Sequence, residues 1–268
     1  MKSIRYLLLG LAFASSVLCL KGAYQRPHVV SFVKQHDNLM YGVPTTNVSS
    51  IVLREGYALG YEERFEQPVW VSYRLTAGEA MTRVASRAGE QFMQDYAIWS
   101  GSSWSSDYTR SGYDRGHLAP AADMSWNPSV LHDSFYMSNV TPQKPEFNRG
   151  IWKDLEDWVR VQACSEGAVT VVTGPIFFEC LDLEGCWIGR CSRVRVPVAF
   201  FKVVLDETPP FKAIGFLMEN GPGTKRLSDY ACSVEKVERF AGMRFFTNLD
   251  PNVRSNVVSE ANFYLWAR

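Results

Sequence analysis

Apolar positions along the chain recur with two different periods, and the alternation between them sets out the elements. In NRGIWKDLEDWVRVQAC (residues 148–164), Trp152, Leu155, Trp158 and Val159 return every three or four positions on a charged background, which predicts an amphipathic helix. CSVEKVERFAGMRFF predicts a shorter helix, opened by Ser233 as N-cap and stopped by Gly242. AVTVVTGPIF, VRVPVAFFKVVLD and FKAIGFLMEN are short apolar, β-branched runs closed by Gly, Pro, Asp or Asn, and read as strands. REGYALGYEERFEQPVWVSYRL predicts a hairpin whose turn is carried by Glu62 to Pro68, and SVLHDSFYMSNV contains a strand candidate around Ser134–Val140. Residues 24–50 are mixed in composition and read as a variable, loosely structured segment. No linker interrupts residues 51–268, and strands interleaved with few helices predict one α+β domain there.

The front of the chain differs. Lys2 and Arg5 precede an apolar run from Leu7 to Leu20, and no acid appears before Asp37. The run is short for a membrane span, so residues 1–23 are expected to be an export signal, giving a secreted or periplasmic protein. A retained anchor, with membrane association through residues 7–20, is the first alternative; a mitochondrial presequence is the second. Lys2, Arg5 and Lys21 lie in this segment, and without it 25 basic face 28 acidic residues. A globally basic footprint is thus absent, which argues against an architectural nucleic-acid binder and requires any polyanion to be gripped locally. Cys180, Cys186 and Cys191 crowd into FFECLDLEGCWIGRC, which reads as a disulfide-stapled loop in an exported protein. Zinc is disfavoured there, because the spacings match no common zinc motif and no histidine is near.

Two features carry candidate chemistry. Asn148, Trp152, Glu156 and Arg160 are four residues apart, so a helix places an amide, a carboxylate and a guanidinium on one slowly drifting stripe. Alone, that stripe reads better as a solvated face with a Glu–Arg pair, and Asn148 reads equally as a helix cap. The run SGYDRGHLAP is more specific. Gly116 permits a close approach that a side chain would block. Arg115 offers a planar fork suited to phosphate oxygens, and Asp114 can hold an imidazole or an arginine. His117 has an ordinary pKa near 6.5 and can take a proton from water at neutral pH. His132 and Asp133 are read as surface residues, and His28 and His36 are given no role.

DRGHLAPAADM followed by YMSNVTPQKPEFNRGIWKDLE resembles the DNA/RNA non-specific endonucleases, and the likeness runs in order over roughly residues 40–250. It implies a ββα-metal nuclease site on an α+β fold, with a central, mainly antiparallel sheet flanked by helices. It further implies that His117 is the general base, that Asn148 is the direct protein ligand of a divalent metal, and that Glu156 orients metal-bound water. Arg160 would contact phosphate, Arg115 and Asp114 would stand beside the base, and an upstream arginine would assist: Arg87, or less well Arg83. Asn139, Thr141 and Gln143 in SNVTPQ would support the loop before the metal-site helix. A single amide ligand suits Mg²⁺, which keeps most of its waters; Mn²⁺ or another divalent cation could substitute.

Nothing in this set reads a base edge, so hydrolysis of both DNA and RNA with little sequence preference is expected. A homodimer is compatible with the resemblance. Two rival readings remain: a phosphodiesterase of the same mechanism on another substrate, and a binding module that no longer cuts. The second would have lost His117 or Asn148, and both are present.

Overall fold

The computed structural model describes residues 36–178 and 185–266, together with the backbone of residues 18–19. Twelve strands occur among these: β1 (Leu18–Cys19), β2 (Ser50–Leu53), β3 (Ala58–Glu62), β4 (Gln67–Thr76), β5 (Asp114–His117), β6 (Val140–Gln143), β7 (Ala168–Ile176), β8 (Trp187–Ile188), β9 (Val194–Arg195), β10 (Ala199–Asp206), β11 (Lys212–Glu219) and β12 (Ala231–Cys232). The α-helices are α1 (Ala77–Met81), α2 (Pro128–Ser134), α3 (Pro145–Asn148), α4 (Ile151–Glu166), α5 (Val234–Ala241) and α6 (Pro251–Ser259). Eight strands form one sheet in the order β1-β2-β3-β4-β7-β10-β11-β12, every adjacent pair antiparallel. β5 and β6 form a separate antiparallel ribbon, as do β8 and β9.

The long central strands read as nearly continuous apolar runs because both faces of the sheet are covered. Successive side chains of β10 point to opposite faces. Phe200 and Val204 join Tyr73, Val171 and Phe216 against Trp152, Leu155, Val159 and Ala163 of α4. Phe201, Val203 and Leu205 pack on the other side with Val234 and Val237 of α5 and Val257 and Val258 of α6. The sheet is therefore a rigid wall, and α4 is bolted to it by its apolar stripe. Removing one such side chain, as in Leu155→Ala, costs about 2–5 kcal/mol.

The hairpin appears as β3–β4, the three later runs as β7, β10 and β11, and the short helix as α5. Ser233 accepts from the Lys236 N–H and Gly242 closes the helix in the left-handed region, as the caps predict. Three readings are corrected. The strand around Ser134–Val140 is absent: Asn127 caps the Ser129 N–H and Pro128 sits at the first helical position, so the chain forms α2 and then a 3₁₀ turn, and β6 begins only at Val140. Residues 36–50 are packed rather than loose, with Asn38 bonded to the carbonyls of Arg54 and Glu55 and accepting from the Arg74 N–H. Asp133 is buried, paired with the buried Arg54, which also holds Asp95. His132 is exposed and pairs with Glu90, in keeping with its reading as surface.

The expected export segment, residues 1–23, and His28 lie outside the described residues but for the backbone of 18–19. Among the described residues no helix is long and apolar enough to cross a membrane, and no cluster of His, Cys, Asp or Glu suits a metal cage such as a zinc knuckle. Cys186 is disulfide-bonded, while Cys164, Cys191 and Cys232 are free thiols.

Candidate active site

Two antiparallel strands lead into the two helices that complete the site. β5 pairs with β6 in the register Asp114↔Gln143 to His117↔Val140, and α3 and α4 follow at once. The ribbon closes tightly at Gly116, where a Cβ would lie 2.2 Å from the Gln143 carboxamide, so any side chain there would have to displace Gln143. The predicted single helix is in fact two. A Cβ at Gly150 would meet the Glu146 carbonyl at 2.5 Å, and the chain breaks there. Asn148 accordingly ends α3 rather than opening α4 or capping it, and Trp152 is a core residue. The four-residue stripe is thus not one helix face, yet its polar members still meet.

They meet in an open cleft of about 530 Å³ lined by Arg87, Asp114, Arg115, His117, Asn148, Arg149, Glu156 and Arg160. Arg83, the other upstream candidate, is not among its lining residues and donates to the neighbouring Thr82 carbonyl. His117 packs between Phe92 and Phe135, each ring centroid 5.1 Å from its own. Its Nε2 is buried without a hydrogen-bond partner. Burial, and then the charge of Arg87, push the imidazole down to about 3, so it is neutral at any physiological pH.

Asp114 organises the opposite wall. It accepts from Asn148 Nδ2 at 2.9 Å and from Arg149 Nε and Nη2 at 2.8 and 2.7 Å. Partial burial favours its neutral form, but the hydrogen bonds from Arg149 and Asn148 outweigh that and hold its carboxyl below the usual range. Because the Asn148 NH₂ is spent on Asp114, its carbonyl oxygen is the end left to accept a cation. Glu156 is pushed well up from the ordinary carboxylate range by burial, against the pull of Lys202.

The arginines are more committed than their spacing implies. Arg115 donates through Nε and Nη2 to the Ser105 carbonyl, at 3.1 and 2.5 Å. Arg160 donates to Asp123 at 2.5 Å and also to Asp157, and Asp123 in turn accepts from Tyr73 Oη at 3.0 Å. Asn139 is a staple: it accepts from the Ala119 N–H and donates to the carbonyls of Ala119 and Ser134, fixing the chain just after His117. Thr141 and Gln143 differ from expectation. Their side chains are buried and make no hydrogen bonds, so the β6 backbone, not these groups, secures the loop. Arg149 and Asp123 were missed. Both sit in the motif segments themselves, and only their partners reveal their use.

The model of the DNA/RNA non-specific endonucleases matches residues 34–252 of the chain. The chain belongs to this family. It is 32% identical over 235 residues to "Nuclease 1, mitochondrial" of Schizosaccharomyces pombe, covering 82% of this chain and 73% of that protein. It is also 32% identical over 220 residues to human "Endonuclease G, mitochondrial", covering 78% and 73%. Among solved structures, an EndoG/EndoGI complex superposes with a TM-score of 0.72 at 31% identity, covering 80% of this chain and 91% of that one. The protein is thus a DNA/RNA endonuclease, a hydrolase of phosphodiester bonds, on an α+β fold with a mainly antiparallel sheet.

Proposed function

We propose that the cleft hydrolyses DNA and RNA with His117 as general base and a hydrated divalent cation, Mg²⁺ or Mn²⁺, held directly by Asn148 and through water by Glu156. The observation that carries this is the convergence of a neutral imidazole, an amide with its oxygen end free, a carboxylate and arginines on one open cleft. The donor set fits such an ion: hard oxygens, too few for a closed cage among the described residues, as suits a cation that keeps its waters. When bound, the cation supplies Lewis-acid stabilisation of the phosphate and of the departing oxygen.

The chain's own residues do the rest. His117 is unprotonated in the resting site, so it is ready to take a proton from water, and an anionic phosphate beside it raises its proton affinity as that water attacks the phosphorus. Asp114 orients the Asn148 amide. Arg87 lines the cleft as an exposed cation and contacts the phosphate, with Arg115 and Arg160 adding positive potential from anchored positions. These groups meet phosphate and not base edges, which supports low sequence preference.

The mitochondrial names of several relatives support the mitochondrial alternative for residues 1–23 over export. A fluorescent fusion with and without those residues tests the address. The decisive assay is degradation of plasmid DNA and single-stranded RNA by the purified chain with Mg²⁺, with and without chelator. DNA bound but left intact across Mg²⁺, Mn²⁺ and other divalent ions would end this reading.

A further inference from the structure

Lys202 is a lysine where the sheet should carry an apolar residue. It lies on β10 between Phe200 and Val204 in the face that packs on α4, and it is fully buried. Its Nζ has no hydrogen-bond partner. Burial works against its charge, and the group that supports that charge most is Glu156, followed by Asp123. An ammonium kept in a core without a direct partner is a cost that a methionine of similar volume would not incur.

Its surroundings say what it faces. Nζ lies 4.6 Å from the Trp152 ring centroid, one helical turn before Glu156, and 6.0 Å from that of Tyr73, the residue that binds Asp123. Trp152 Nε1 is likewise a buried donor without an acceptor. Both Asp123 oxygens are taken, one by Tyr73 and one by Arg160. The Arg160 guanidinium is in turn divided between Asp123 and Asp157. That leaves the Lys202 ammonium without a hydrogen-bond partner beneath α4, against the stripe from which Glu156, one turn beyond Trp152 and partly exposed, lines the cleft.

We propose that Lys202 is a positioning residue of the nuclease site, a cation built into the sheet face beneath α4 that holds the Glu156 side chain aimed into the cleft from below. This rests on the role given to Glu156 above. Lys202 itself never reaches the substrate, since the sheet and Trp152 enclose it.

The test compares Lys202→Met, Lys202→Gln, Glu156→Gln and the double variant Lys202→Met/Glu156→Gln in the full chain. Three quantities are read: the urea midpoint, Mn²⁺ binding by calorimetry, and kcat and KM on plasmid DNA. Lys202→Met should keep or raise the urea midpoint, lose about tenfold to a hundredfold in kcat with little change in KM, and bind Mn²⁺ more weakly. The double variant should be no slower than Glu156→Gln alone. Lys202→Gln keeps a polar tip without the charge and should show the same losses, which secures the reading if the methionine variant folds poorly. An inactive Glu156→Gln beside a fully active Lys202→Met removes the role of Lys202. A fully active Glu156→Gln removes the role of Glu156 itself. Multiplying losses in the double variant would show that Lys202 acts elsewhere and overturn the proposal.

Discussion

Replacing Asp114 by alanine isolates what orients the Asn148 amide, the group proposed to hold the cation. In the folded protein Asp114 accepts from Asn148 Nδ2 at 2.9 Å and from both edges of Arg149. Arg149 is exposed, so water and salt screen its share, and the bond that matters is the partly buried one to Asn148. A hydrogen bond to a charged acceptor contributes about 1.5 kcal/mol or somewhat more. That is about a tenfold preference for the orientation that turns the amide oxygen away from Asp114. Without it the NH₂ faces the cleft almost as often, and an NH₂ repels a cation. Lost orientation alone lowers the productive fraction only about twofold. With the loss of the carboxylate's negative charge and its polarisation of the amide, Asp114→Ala should lower the plasmid-cleavage rate at limiting Mg²⁺ by about 10–100-fold in all, the range for groups that support a metal ligand. Raising Mg²⁺ should recover part of the loss. Asp114→Asn, which keeps an acceptor, should fall in between. Urea midpoints serve as the control for folding. The reasoning is refuted if Asp114→Ala cleaves at the wild-type rate with the wild-type Mg²⁺ dependence.

Further outcomes follow from the same geometry. Arg87→Ala should lower kcat/KM by about tenfold to a hundredfold, the worth of a charge-assisted contact, while Arg83→Ala stays within about twofold; equal losses would show that the cleft does not separate them. Gly116→Ala forces a Cβ to 2.2 Å from Gln143 and should cost about 1–3 kcal/mol in urea unfolding, with Gln143→Ala restoring part of it in the double variant. His117 is held neutral with its pKa pushed down to about 3, so its contribution to stability is complete above its unfolded pKa near 6.5 and is lost as pH falls below that toward about 3. Between pH 7 and pH 5 the wild type should thus lose about 2 kcal/mol more than His117→Ala, measured by urea unfolding at both pH values. Parallel losses in the two proteins would mean that the native site accepts a proton on His117.

What the sequence disclosed and what it hid divide along a physical line. Elements whose information is local were legible: the β3–β4 hairpin with its polar turn, the apolar runs of β7, β10 and β11, and α5 with Ser233 and Gly242 at its ends. The motif residues were also legible as residues, and the cleft does gather Arg87, Asp114, Arg115, His117, Asn148, Glu156 and Arg160. Spacing misled wherever a nonlocal contact decided. The four-residue stripe from Asn148 to Arg160 predicts one helix, but the approach of Gly150 to the Glu146 carbonyl breaks it, and Asn148 comes to face Asp114 from a separate turn.

Arg115 and Arg160 have the chemistry of free phosphate clamps in the sequence, yet they are tethered to Ser105 and Asp123, which no local pattern announces. The same holds for the groups that were missed. Asp123, Arg149 and Lys202 are ordinary charges in the chain, and each acquires a use only from a neighbour brought in by the fold. A tethered arginine loses reach but gains preorganisation, because its orientation is set before the substrate arrives and need not be fixed during the reaction. On that argument the sheet does more than support α4: through Tyr73 and Asp123 it fixes the direction in which Arg160 presents its charge.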